Sequence, residues 1–314
     1  MFLLFKSILL FLLLLSMLIY SNDVTAGARS GLLLWYQSVV PALFPFMVLS
    51  GMIVAQGSIL TLMTPIHAVF KHLLPLSKEG CYVLVTGLLC GYPMGAKTCA
   101  DFVSEGRISI REGKYLLAIC SHPSPMFILG YVYPFFKDSI SISKLLFAVY
   151  SPLVLLAVIG KCIYYQNRGD SLCDFPSVFQ NQLHSSDISS TSTDETILSS
   201  IEILCKIGGY LMIFSICAGF LNKFVQLPDF LRATGISILE MTTGIRELAN
   251  ISAAYDTFPV GAAAVSFGGL SGIFQTNAVL NSAKKAGLSV RPYIIWKLLH
   301  ASLSGGIAAI LCNF

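Results

Sequence analysis

The sequence predicts an all-α polytopic membrane protein of two halves, with helices broken near the bilayer midplane. Three observations carry that reading. Of the 314 residues 55% are hydrophobic and only 11% are charged, whereas a soluble domain carries about 25% charged residues. Helix breakers cluster twice inside apolar segments, at 87–95 (Gly-Leu-Leu-Cys-Gly-Tyr-Pro-Met-Gly) and at 267–277 (Phe-Gly-Gly-Leu-Ser-Gly-Ile-Phe-Gln-Thr-Asn). Hydrocarbon cannot hydrogen-bond an open backbone, so such breaks survive only where protein or a polar cavity supplies partners, and a pair in two halves points to a transporter's binding site. Finally, a polar, low-complexity stretch at 185–196 divides the chain.

From the N-terminus, residues 1–28 read as a membrane helix or a signal peptide: an apolar run follows Lys6, and Ala26-Gly27-Ala28 resembles a cleavage site. Residues 31–55 contain Pro41 and Pro45, which predicts a kinked span or a re-entrant hairpin. Residues 59–76, bounded by prolines, suit a short half-membrane helix, and 80–105 pass through the first break into a polar continuation with Lys97, Asp101 and Glu105. Ser109 with Glu112 is a capping-box pattern opening a helix over 109–120. Ser121-His122-Pro123-Ser124-Pro125 breaks the chain again, and a full span follows over 144–165.

Residues 166–199 are too polar to bury a core and read as an exposed linker. It divides a first repeat at 29–165 from a second at 200–314. The second half opens with a span at 200–226, continues with a half-membrane helix at 235–249 and the second break at 257–282, and ends with a span at 292–312. A weak internal match supports the division. Gly87, Leu89 and Gly91 align with Gly268, Leu270 and Gly272, and Ile108-Ser109-Ile110-Arg111 aligns with Leu288-Ser289-Val290-Arg291. An odd number of full spans in each half would invert the second half. The basic clusters Arg107, Arg111, Lys114 and Lys284, Lys285, Arg291, Lys297 leave the orientation open.

Charge and motifs narrow the function. The net charge of +4 is spread thinly without a basic run, so nucleic acid is not an expected partner. None of the nine cysteines forms a C-x-x-C pair, the five histidines are scattered, and neither G-x-S-x-G, HExxH nor a P-loop occurs. No enzyme activity, metal or cofactor is therefore expected. The expected partners are the lipid bilayer, a small-molecule substrate and a coupling proton or sodium ion.

The candidate binding residues flank the breaks. Gly91, Tyr92, Pro93 and Gly95 shape the first one, and the half-helix N-terminus beyond it favours anions. Lys97 sets a cation beside that N-terminus: either it contacts a carboxylate or it snorkels at a helix end. Ser121, His122 and Ser124 line a pocket or cap the helix that follows. Glu240, within an apolar-flanked helix with Thr242 and Thr243, carries a coupling proton or pairs with a cation, unless it makes an ordinary salt bridge. Ser271, Gln275, Thr276 and Asn277 hydrogen-bond a ligand or join helices.

Gly91-Tyr92-Pro93-Met94-Gly95-Ala96-Lys97 resembles the G-Y-P-x-G-A-K motif of the YlbJ-type sporulation integral membrane proteins, which belong to the nucleoside-recognition (Gate) domain group. Further stretches agree in order: Pro41-Ala42-Leu43-Phe44-Pro45-Phe46, Ser124-Pro125-Met126-Phe127, Leu239-Glu240-Met241-Thr242-Thr243-Gly244, and Ser266-Phe267-Gly268-Gly269-Leu270-Ser271 with Gln275. Ser121 stands where the family has asparagine. The resemblance implies two Gate-type, inverted repeats similar to concentrative nucleoside transporters. It also implies movement of dipicolinate, a small aromatic dicarboxylate, across a bacterial cytoplasmic or forespore membrane during sporulation. A nucleoside transporter and a non-transporting sporulation scaffold are the alternative readings.

Overall fold

Every regular element is helical among the described residues, which in this computed structural model are 2–56, 58–70, 73–165, 193–251, 254–284 and 287–313. Four helices among them are long and apolar enough to cross a membrane: Ile142–Tyr165, Thr193–Phe224, Thr257–Val279 and Val290–Cys312. Phe11–Ile19 and Ser21–Val39 make a fifth span if counted together, although the chain turns by 96° between them. The several-span, all-helical architecture is the one the composition predicts.

Segment 31–55 is a continuous helical run and not a hairpin. Ser21–Leu34 passes through a π-helical turn, Trp35–Val39, into Val40–Ala55. Pro41 has no N–H to donate, and the wider π turn stands directly ahead of it. Ala26–Ala28 lies inside helix 21–34, where Gly27 and Gly31, four residues apart, press on the backbone of helix 193–224 at Ile216 and Met212. Small residues at that spacing let two membrane helices approach closely. The Trp35 indole fixes the same pair by donating to the Leu204 carbonyl at 2.7 Å. Of the linker expected at 166–199, residues 166–192 lie outside the described residues, and 193–199 are the first turns of helix 193–224.

The rest of the chain runs twice through one order of elements. A hairpin, Lys78–Cys90 and Met94–Ser104, is followed by two shorter helices on either side of a break, Ile110–Ile119 and Pro125–Phe136 (called below the first broken span), and then by Ile142–Tyr165. After helix 193–224 come a hairpin, Asp229–Leu239 and Met241–Ala249, a broken span, Ala254–Phe267 and Gly269–Val279, and then Val290–Cys312. The arms of each hairpin pack side by side, whereas the chain on either side of Gly268 continues as one span. The helix expected over 235–249 is therefore two arms meeting at Glu240, which is extended (φ −145°, ψ 109°).

Set side by side, the two runs of elements differ in register from the internal match. Gly87 sits within a helical arm, whereas Gly91 and Gly268 are the break residues, with φ of 75° and 83° that only glycine adopts without strain. By element order the 91–93 tip corresponds to Glu240, and Gly268 corresponds to 121–124. Ser109 and Ser289, also paired by the match, both stand at helix N-caps. The capping box at Ser109 is half made. Ser109 Oγ accepts from Glu112 N at 3.1 Å, but the buried Glu112 carboxylate reaches away to accept from Ser77 N and Oγ at 2.7 and 2.8 Å. Ser77 caps the first hairpin, so Glu112 ties that hairpin to the broken span.

Candidate functional site: the meeting of four helix breaks

The breaks at Gly91–Pro93, Cys120–Ser124, Glu240 and Gly268 come together, and Tyr92 is the residue that joins them. Its backbone N–H donates to the His122 carbonyl at 2.9 Å. Its hydroxyl lies 2.6 Å from Met241 Sδ and 3.2 Å from the Val265 carbonyl. A Cβ added at Gly268 would stand only 3.2 Å from the Tyr92 ring, so glycine there makes room for the aromatic face. One hairpin tip thus touches the opposite hairpin and both broken spans. Tyr131, on the first broken span, adds a bond from its hydroxyl to the Thr242 carbonyl at 2.9 Å.

Each break is followed by the N-terminus of a half-helix, whose free N–H groups carry partial positive charge. Two of these ends are capped from within. Ser124 Oγ accepts from Phe127 N at 3.2 Å. The Glu240 carboxylate, 1% exposed, accepts from Thr242 N at 3.0 Å, from Thr243 N at 2.7 Å and from the Thr242 hydroxyl. The helices that begin at Met94 and Gly269 have no side-chain cap. Between these ends lies a cavity of about 60 Å³ lined by Tyr92, Pro93, Ser124, Glu240, Ser271 and Gln275, with Ser38 and Val39 of the π turn and several apolar neighbours. Gln275 donates to Ser271 Oγ at 2.9 Å, which sets both side chains on one wall.

The remaining sequence candidates fall outside this lining. Gly95 packs on the Cys120 carbonyl. Ser121 contributes its backbone carbonyl, and His122 lies behind the cavity, its Nδ1 donating to the Pro123 carbonyl at 3.2 Å. Thr242 and Thr243 hold Glu240 and do not face the cavity. Thr276 donates to the Tyr293 hydroxyl at 3.1 Å, and Asn277 is half-buried away from the lining. Lys97 also lies apart from the central cavity. It follows the break in sequence, but helix 94–104 turns it away, and its Nζ pairs with Asp101 at 2.6 Å. Together with Met94, Thr98 and Asp101 it lines a second, outer cavity of about 360 Å³, shared with Glu105, Glu195 and the serines Ser50, Ser199 and Ser200.

The two cavities are stacked along helices 40–55 and 193–224. The central one is lined by Leu43 and Ile207 and the outer one by Met47 and Ile203, each one helical turn further along its helix, while Cys90 and Met94, on the two arms of the first hairpin, line the central and the outer cavity. These six residues belong to one buried apolar cluster, so a layer of hydrocarbon closes the central cavity from the outer one.

The residue that sequence reasoning missed is Lys297. Grouped by sequence with a basic cluster, it is instead 2% exposed. Its Nζ donates to the Ser121 carbonyl at 3.1 Å and lies 4.6 Å from the centroid of the Tyr92 ring. It belongs to a polar stripe on helix 290–312 that runs Tyr293, Lys297, His300, Ser304, all buried. His300 Nε2 donates to the Val149 carbonyl at 2.8 Å, and Ser304 donates to the Ala148 carbonyl at 2.7 Å while receiving the Ser266 hydroxyl at 2.7 Å. The spacing of 4, 3 and 4 is that of one helix face, and this was the signal available in the sequence.

The chain is similar to the Sporulation integral membrane protein YlbJ of Bacillus subtilis (strain 168), with 28% identity over 218 residues, 65% of this chain and 53% of the relative. The similarity agrees with the apolar spans. The chain is an integral membrane protein. It spans about half the length of the curated relative it matches. No family model matches the chain, and no solved structure matches it either.

Proposed function

We propose that the chain is a membrane transporter for a small anionic metabolite, with its site at the junction of the four breaks. The observation that carries this reading is the junction itself: unwound backbone and half-helix ends from both halves meet around one small cavity that holds Glu240, Ser124, Ser271 and Gln275 among apolar neighbours, the arrangement by which secondary transporters hold substrate and coupling ion. Halves 29–165 and 200–314 act as two Gate-type, inverted repeats, similar in plan to concentrative nucleoside transporters; the repeated order of hairpin, broken span and full span supports this. Movement of one repeat against the other opens the apolar layer of Leu43, Met47, Cys90, Met94, Ile203 and Ile207 and connects the central cavity with the outer one. A central space of about 60 Å³ is well below the roughly 300 Å³ at which small-molecule pockets begin, so cargo binding requires this space to widen.

The cargo we favour is dipicolinate, moved during sporulation in a bacterial cytoplasmic or forespore membrane. The relative's sporulation role supports the setting, and the resemblance of the Gly91–Lys97 motif supports the cargo. Glu240, held at a half-helix N-terminus on the cavity wall, is our candidate for the coupling proton or sodium ion. Uptake of labelled dipicolinate into proteoliposomes is the test. Uptake above empty vesicles is expected; its absence with folded protein sinks the transporter reading in favour of a scaffold. Uptake of a nucleoside instead would redirect the cargo to the neutral polar wall of Ser271 and Gln275.

A further inference from the structure

Lys297 has more hydrogen-bonding capacity than the protein satisfies. An ammonium carries three N–H donors, yet this one has one hydrogen-bonded acceptor, the Ser121 carbonyl, and the face of Tyr92. No acidic side chain forms an ion pair with it among the described residues; the lysines and arginines paired there are Lys97, Arg107, Lys206, Lys223 and Arg232. A lone cation out of water carries a desolvation penalty that a counter-charge offsets. The titratable neighbours are His122, His300, Tyr92, Tyr150 and Tyr293. None of these side chains is a carboxylate.

The missing counter-charge has a route to it. Tyr92 both covers the Lys297 ammonium and lines the central cavity, whereas Lys297 itself is not in the lining. Where the ring meets the second broken span it faces Gly268 and Gly272, which present no side chain. A swing of Tyr92 that breaks its hydroxyl contacts with Met241 and Val265 would join the cavity to the ammonium. It enlarges a space too small for a dicarboxylate, and it brings a cation to the side of the cavity where the Ser121–Ser124 break exposes backbone. We infer that Lys297 is the carboxylate-recognising residue of the site, reached when Tyr92 moves aside. This rests on the transporter reading for its cargo but not for its binding chemistry.

A purely structural role is the competitor, since a lysine bonded to the Ser121 carbonyl, just past the end of helix 110–119, acts as a C-terminal cap. Lys297→Gln separates the two, because it keeps a donor for Ser121 and loses the charge. Lys297→Arg keeps the charge. The probes are pyridine-2,6-dicarboxylate and its neutral diamide, read as thermal stabilisation of the purified full chain. We expect the wild type to be stabilised by the dicarboxylate far more than by the diamide. Lys297→Arg should keep that preference. Lys297→Gln should weaken dicarboxylate binding by about 30-fold or more, the loss typical of truncating one partner of a buried charge pair, and leave the diamide response unchanged.

Equal response of the wild type to both probes overturns the assignment without any variant having to fold. So does a folded Lys297→Gln that retains the dicarboxylate preference. Proteoliposome uptake keeps the two readings apart. Dicarboxylate uptake undiminished in Lys297→Gln removes Lys297 and leaves the transporter, whereas Lys297-dependent binding with no uptake by the wild type removes the transporter and leaves the site.

Discussion

One lysine lines the outer cavity and another lies behind Tyr92 at the central junction, and the two are treated oppositely. In the outer cavity Lys97 is 27% exposed, pairs with Asp101 one turn along its own helix and stands among carboxylates and serines. At the central junction Lys297 is buried, borrows a backbone carbonyl and an aromatic face, and comes from the last helix of the chain. In the outer cavity charges find partners close by, Lys97 on Asp101 and Glu105 beside Arg107. The central junction is backbone meeting backbone, where polar groups from distant segments complete one another. Depth within the protein and not distance along the chain decides which charge is available to a ligand.

The largest effects should come from testing how tightly the junction is packed. A Cβ at Gly95 would drive into the Cys120 carbonyl and stand 2.9 Å from the Gly87 Cα, and none of that backbone can move aside. Gly95→Ala should destabilise by about 3 kcal/mol and cut the yield of folded protein. Gly51, on the outer cavity, would meet only the Thr196 side chain; Gly51→Ala should cost less than about 1 kcal/mol because a side chain repacks. Thermal unfolding of the two variants side by side reads the difference, and equal losses would break the contrast between the cavities.

Glu240 comes next. Removing its carboxylate in Glu240→Ala strands two buried backbone N–H groups and the Thr242 hydroxyl at a helix start, for an expected loss of about 2–3 kcal/mol in unfolding free energy. Glu240→Gln keeps one acceptor oxygen and should lose about half of that. If the cap alone explains Glu240, the glutamine variant should still take up cargo in proteoliposomes. Abolished uptake in a folded Glu240→Gln is the expected outcome for a coupling role.

Much of this was legible in the sequence, and what was not has physical causes. Gly91, Pro93 and Gly268 announce their breaks because backbone freedom and a missing N–H are properties of single residues. Ser109 announces its helix for a similarly local reason. Glu240 hides because a carboxylate capping its own helix leaves no gap in the apolar pattern on either side. The hairpins and broken spans could not be told apart, since both show as breakers in hydrocarbon and differ only in the direction the chain takes afterwards. Lys97 misled because nearness in sequence does not fix the helix face: Gly95 faces Cys120, while Lys97 turns with Met94 and Asp101 to the outer cavity. Lys297 hid because a span is judged on its average, and four polar residues on one face barely lower it.

Tyr92→Phe should have a smaller effect. It removes the hydroxyl that reaches Met241 and Val265 but keeps the ring over Lys297, so about 1 kcal/mol of stability should be lost. With one tie across the halves gone, Tyr92 should also swing more readily. Dicarboxylate association, followed by stopped-flow fluorescence, should therefore be faster than in the wild type; an unchanged rate would mean that Tyr92 does not limit access.

The smallest effect belongs to Lys97, and it sharpens the comparison most cheaply. A partly exposed i,i+4 ion pair such as Lys97–Asp101 contributes about 0.5 kcal/mol, so Lys97→Ala should leave the melting temperature nearly where it is. Dicarboxylate affinity should also change by less than about threefold, the range left when an exposed charge outside the site is removed. The opposite result, in which Lys97→Ala loses dicarboxylate binding while Lys297→Gln retains it, would move the anion site to the outer cavity. The central junction would then be a structural hub, with Lys297 holding the Ser121 carbonyl and the Tyr92 ring in place.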